Sequence, residues 1–154
     1  MSQVESRLQQ LGIILPQVSS PAANYVPYQK SGSLVVISGQ LPMKDGKPQF
    51  VGKVGREFSI EQGQQCAALC VANILAHLRN ACGGTLDNVR QCLRLGVFVN
   101  APDDFTEHPK VANGASDLMV AVFGSNGHHA RAAVGVSGLP FGVAVEVEAM
   151  FEIE

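Results

Sequence analysis

His129-Ala130-Arg131-Ala132-Ala133-Val134-Gly135-Val136-Ser137-Gly138-Leu139-Pro140, followed by Val143-Ala144-Val145-Glu146-Val147-Glu148-Ala149-Met150, is the stretch that decides the fold. It reads as two strands joined by a Gly/Pro turn. The second strand alternates valine with glutamate. Successive strand side chains point to opposite faces, so one face is apolar and the other acidic. The first strand carries a single arginine, Arg131, among small and apolar residues. A guanidinium in that setting needs an anionic partner to offset lost hydration. A substrate carboxylate matches its two-pronged geometry.

Working outward from this stretch, the periodicity changes to that of helices. Lys110 to Phe123 places Val111, Ala115, Leu118, Met119 and Val122 on one side. Val89 to Asn100 is an apolar strand ahead of it, and Pro102-Asp103-Asp104 is a turn. The longest helix spans Ile60 to Cys82, with an apolar stripe from Ala67 to Cys82. Ser59 and Gln62 form its capping box, and Gly83-Gly84 ends it. Leu41 to Phe58 is a loop with a short hairpin at Asp45-Gly46. Ser33 to Gln40 is a strand expected to be buried on both faces. Ser2 to Leu11 is a short amphipathic helix with Val4, Leu8 and Leu11 on its stripe. The order is strands, helix, strand, helix, two strands. That is an α+β chain whose two main helices cover one face of a mixed sheet. The second sheet face, which carries the glutamates, is left for a partner subunit.

Composition narrows the function classes. The 154 residues suit one domain, 46% are hydrophobic and 16% charged, so a core can form. The low charged fraction agrees with surface hidden in an oligomer. The net charge is −2 and the 11 Lys and Arg are scattered, which leaves no electrostatic footprint for nucleic acid. No apolar run is long enough to span a bilayer. Met1 to Arg7 lacks the layout of a signal peptide, so a cytoplasmic protein with reduced thiols is expected. Cys66, Cys70, Cys82 and Cys92 read as small buried residues, since no zinc-ligand spacing appears. His77, His108, His128 and His129 are too dispersed for a metal site. His128 and His129, as neighbours in an extended segment, cannot serve one site together, and exposed loop positions are expected for them.

Four segments resemble one family in register. They are Tyr25 before the first strand, Ser38-Gly39-Gln40 at its end, Val97-Phe98-Val99 with Asp104-Phe105, and the closing Arg131-x-x-Val134-x-Val136-x-x-Leu139-Pro140-x-x-x-x-Val145-Glu146-Val147-Glu148-Ala149. The chain resembles the reactive intermediate deaminase (Rid) proteins, also called YjgF-like or endoribonuclease L-PSP proteins. The resemblance runs from about Pro21 to the C-terminus. It implies a single domain over residues 1–154, with residues 1–20 as a helical extension. It also implies a chorismate-mutase-like fold with a mixed six-stranded sheet, a homotrimer, and active sites in clefts between subunits. The implied activity is hydrolysis of reactive enamines and imines, such as 2-aminoacrylate, to 2-keto acids and ammonia. This is 2-iminobutanoate/2-iminopropanoate-type deaminase chemistry without metal or organic cofactor. The resemblance assigns Arg131 to the substrate carboxylate, Glu146 to the reacting end, and Tyr25 to the cleft. Ser38, Gly39 and Asn113 become substrate contacts. The N-terminal helix, the longer 41–58 loop, extra residues between Phe105 and Asn113, and Ala133 in place of a common cysteine depart from the pattern.

Three functions compete. The first is the deaminase. The second is a sensor that binds a keto acid or amino acid in the same cleft without turnover. The third is an endoribonuclease, as the older family label says, for which the chain offers no basic patch and no histidine pair. Arg131 has a structural alternative too, a pairing with Glu146 or Glu148 across an interface.

Overall fold

The apolar periods become three α-helices and seven strands in the computed structural model, which describes residues 2–18 and 25–154. In chain order they are α1 (Gln3–Gln10), β1 (Tyr28–Ser31), β2 (Leu34–Gln40), β3 (Met43–Lys44) and β4 (Lys47–Pro48). There follow α2 (Ile60–Ala81), β5 (Val89–Asn100), α3 (His108–Phe123), β6 (Ala130–Val136) and β7 (Val145–Ile153). α3 thus begins at His108, two residues ahead of the expected start at Lys110.

The main sheet has five strands in the order β1-β2-β7-β5-β6, not the six expected. β3 and β4 pair only with each other, around Asp45 and Gly46, whose φ of 53° and 74° suits a two-residue hairpin. The buried Asn73 amide on α2 donates to the Met43 carbonyl at 3.1 Å and ties this ribbon to the helix layer. β5 and β6 are parallel, and the other neighbouring pairs are antiparallel.

The two closing strands do not form the hairpin their sequence suggests, because β5 lies between them. α3 carries the chain back so that β6 runs parallel beside β5, as a crossover requires. β7 then takes the opposite edge of β5. The connection crosses the end of β5, where buried Asn100 receives it: its amide donates to the Val143 carbonyl at 3.1 Å and its backbone N–H to Ala144 at 2.8 Å. Lys53 Nζ ties the same corner, reaching Asn100 Oδ1 at 2.6 Å and the Ser137 carbonyl at 2.8 Å.

α2 and α3 pack on one sheet face. Val145, Val147, Ala149, Phe151 and Ile153 of β7 point into that layer and are buried, while the intervening Glu146, Glu148, Met150 and Glu152 are half-exposed. The expectation that β2 is buried on both faces is not met. Val35 and Ile37 are buried, but Leu34 and Val36 are 39% and 46% exposed, because they look out on the face without helices. The α2 capping box forms as read, with the Gln62 N–H donating to Ser59 Oγ at 3.1 Å and the Ser59 N–H to Gln62 Oε1 at 2.9 Å. All four cysteines are buried and free. α1 buries Val4 and Leu8, though not Leu11. It is held by Asp87, whose carboxylate accepts from the N–H groups of Gln3 and Val4 at 3.0 Å each, a favourable site for an anion at a helix N-terminus.

Candidate active site

Sheet register decides which face each candidate residue occupies. Arg131 is opposite Leu95, which is opposite Ala149. Leu95 and Ala149 are buried beneath the helices, so Arg131 rises on the helix face. Glu146 shares a row with Phe98 and Val134, the row that faces away from the helices. Residues in one row of a pleated sheet point the same way, and rows alternate. Within one chain, Arg131 and Glu146 are therefore on opposite faces.

On the helix face, at the sheet edge, exposed Arg131 leans against α3. Its Nη1 donates to Asn113 Oδ1 at 2.9 Å and to Ser116 Oγ at 3.0 Å. Those two bonds use both hydrogens of Nη1. Among the described residues, Nε–H and both hydrogens of Nη2 have no protein acceptor, and no carboxylate pairs with this guanidinium. Glu148, the alternative partner, binds Arg94 at 2.9 Å. The open edge of Arg131, Nε with Nη2, is the one that meets a carboxylate side-on.

Two histidines join this side. His129 lies in the loop before β6 as expected but is half-buried and bonded, not exposed: its Nε2 lies 2.8 Å from Ser116 Oγ and its Nδ1 2.6 Å from the Gly127 carbonyl. The alternation that separates His128 from His129 also puts His129 and Arg131 on one face, and that spacing was the available signal. His108 stands edge-on to Phe105, with ring centroids 5.1 Å apart. It covers Gly135, where a Cβ would meet His108 Nε2 at 2.5 Å. His108 was not legible from spacing, because its contact joins a helix start to a strand end.

The open face gathers the remaining candidates. β2 carries one extra residue between Ile37 and Gln40, opposite Ala149 to Val147 of β7, which makes a bulge of Ser38-Gly39. A Cβ on Gly39 would lie 2.9 Å from Glu146 Oε2, so glycine lets the carboxylate rest against the bulge. Ser38 Oγ donates to the Val26 carbonyl at 2.6 Å, and this tether holds the segment of Tyr25, itself 62% exposed, beside the bulge. Partial burial, reinforced by the Glu148 carboxylate, holds the Glu146 carboxyl above its ordinary value. The structure thus brings Arg131 together with Asn113, and Glu146 with Gly39 and Ser38, but keeps the two groups apart.

A family model described as "YjgF/chorismate_mutase-like, putative endoribonuclease" matches residues 5–151. The chain belongs to the YjgF/Rid family. Protein TCP17 of Trypanosoma cruzi is 46% identical over 151 residues, covering 97% of this chain and 94% of that protein. The crystal structure of Atu1372, a protein of unknown function from Agrobacterium tumefaciens, is similar at 45% identity and a TM-score of 0.92, over 98% of this chain and 94% of that one. RidA from the Antarctic bacterium Psychrobacter sp. is 28% identical with a TM-score of 0.59, covering 89% of this chain and 94% of RidA. Within the YjgF/Rid family this backbone is thus much nearer that of the Atu1372 protein than that of RidA. Among the described residues of this YjgF/Rid chain, no helix is long and apolar enough to cross a membrane.

Proposed function

We propose that this protein is a homotrimeric deaminase that hydrolyses 2-imino acids to 2-keto acids and ammonia. The observation that carries the reading is the Arg131 guanidinium: one nitrogen is saturated by neutral Asn113 and Ser116, and the Nε–Nη2 edge has no acceptor among the described residues. A planar 2-imino carboxylate fits that edge with two parallel hydrogen bonds. The enamine form first takes a proton on its terminal carbon and gives one up from its nitrogen to water, which makes it the imine. Water then adds to the imine carbon, the C–N bond breaks, and the nitrogen leaves as ammonia while the carbon keeps the oxygen. Glu146, with its raised pKa, is suited to hold a proton near the reacting nitrogen or water.

Opposite faces are compatible with one active site if two chains share it. Arg131 and Asn113 come from one subunit, and Glu146, Ser38, Gly39 and Tyr25 from the next. Leu34, Val36 and Val134 on the open face are 39%, 46% and 48% exposed, and apolar surface of that kind is suited to burial between subunits.

The test is turnover. 2-Iminobutanoate released in situ from 2-aminobutyrate by an amino-acid oxidase should yield 2-ketobutyrate faster when the wild-type protein is added. Arg131→Ala should lose roughly 2–5 kcal/mol of transition-state binding, or about 30- to several-thousand-fold in kcat/KM. Binding of 2-ketobutyrate with no acceleration would favour the sensor. An Arg131→Ala protein that matches wild type would refute the clamp.

A further inference from the structure

We infer that Ser116 and His129 are positioning residues that aim Arg131 at its carboxylate ligand, through a hydrogen-bond chain anchored in the Gly124–Gly127 turn. The inference rests on the carboxylate-clamp reading above and extends it to groups that never touch the ligand.

The direction of every bond in the chain follows from chemistry. The Gly127 carbonyl can only accept, so His129 Nδ1, 2.6 Å away, carries the proton. In the neutral ring Nε2 is then an acceptor, and it takes the hydroxyl hydrogen of Ser116 at 2.8 Å. With its hydrogen committed to His129, Ser116 Oγ presents lone pairs, one of which receives Arg131 Nη1 at 3.0 Å. The order is therefore Arg131 to Ser116 to His129 to Gly127, each group donating to the next. Asn113 Oδ1 takes the second hydrogen of Nη1 at 2.9 Å, and the guanidinium plane is fixed by two points.

The far end of the chain is rigid for a structural reason. Gly127 is buried, and a Cβ there would collide with the Met119 carbonyl of α3, so only glycine lets the turn press against that helix. Gln91 Nε2 of β5 donates to the next carbonyl, that of His128, at 2.6 Å. The turn is thus seated on both α3 and the sheet. Without His129, the Ser116 hydroxyl is free to rotate and donate elsewhere, and Arg131 can swing along the exposed edge. Preorganised donors bind a ligand without reordering at the moment of binding.

The experiment uses the full-length protein and 2-ketobutyrate as probe. His129→Ala should weaken 2-ketobutyrate binding about tenfold by calorimetry, the worth of one hydrogen bond to a charged group's support. It should raise KM for 2-iminobutanoate by a similar factor and leave kcat within about twofold. His129→Gln should restore most of the affinity, since its side-chain oxygen can accept where Nε2 did. Ser116→Ala with His129→Ala should bind no more weakly than Ser116→Ala alone, because His129 acts through Ser116. Wild-type affinity in His129→Ala, or additive losses in the double variant, would overturn the inference. Loss of all binding discrimination between wild type and Arg131→Ala would instead refute the clamp. Nitrogen NMR of the ligand-free protein then decides the positioning question: wild type should show His129 protonated at Nδ1 and slow rotation of the Arg131 guanidinium, and His129→Ala should show faster rotation. Equal rotation in both proteins overturns the inference.

Discussion

Arg131 gives one nitrogen to the protein and leaves two without a protein acceptor among the described residues. That division makes the replacement Arg131→Lys informative. An ammonium could reach Asn113 or Ser116 but cannot also offer a planar fork. We expect it to recover only part of the activity lost in Arg131→Ala, measured as kcat/KM on 2-iminobutanoate. Glu146 supports a different measurement. Burial and the neighbouring Glu148 raise its pKa above the ordinary value of 4.5. The sign follows from linkage: below that ordinary value both folded and unfolded chains hold the proton, and nothing is lost. As pH rises through the raised value, the folded chain must ionise in an unfavourable place, and stability falls. Glu146→Gln is neutral throughout, so its Tm should exceed that of wild type at about pH 7.5, with the gap closing toward about pH 4. A gap of the opposite sign would mean that a cation faces Glu146. At this scale the sequence was informative about residue type. A lone arginine on an apolar strand pointed to the guanidinium whose Nε–Nη2 edge has no acceptor among the described residues. It said nothing of Ser116, because a serine in a helix is unremarkable until its neighbours are known.

Elements were legible where their signals are local. The Ser59–Gln62 capping box, the Asp45-Gly46 turn and the Gly83-Gly84 stop, at φ of 78° and 107°, are each written in adjacent residues. Pairing was not legible, because it depends on distant residues. β6 and β7 are separated by eight residues, which invites a hairpin, yet the crossover through α3 places β5 between them. The exposed row of β2 is not legible for a similar reason: a continuous apolar run has the same appearance whether its second face is covered or open. Close approach of α2 and α3 is another non-local feature. Gly114 lies so near the Gln64 backbone that a Cβ would overlap its carbonyl, and a Cβ on Gly63 would meet Val54 and Val111 at 3.0 and 3.1 Å. Gly114→Ala gains helix propensity, but the collision is with backbone and cannot be relieved by a rotamer. We expect a net loss of about 1–3 kcal/mol, or more, in denaturant unfolding. An unchanged midpoint would mean that the two helices separate without cost.

The whole molecule poses the problem that no single chain solves. One face presents the Nε–Nη2 edge of Arg131, and the other presents a carboxyl with a raised pKa beside a backbone bulge. The sequence places Arg131 and Glu146 fifteen residues apart on strands consecutive along the chain, which suggests a shared pocket until register is known. Rows 131–95–149 and 134–98–146 then put a sheet between them. If the two groups act together, they do so across a subunit boundary, and a mixing experiment tests this directly. Arg131→Ala and Glu146→Gln should each be strongly impaired as pure assemblies. After co-refolding, every trimer that contains both chains should have one boundary where an intact Arg131 meets an intact Glu146. For random cyclic trimers from equal amounts, about three quarters of the assemblies then carry one intact site in three, so activity should return to about one quarter of wild type. A site formed within one chain predicts no recovery, because each chain lacks one of the two groups whatever its neighbours are. Light scattering of the same mixture supplies the control. Trimers with restored activity support the shared site, trimers without it place the chemistry elsewhere, and a monomeric mass at micromolar concentration removes the boundary on which the site depends.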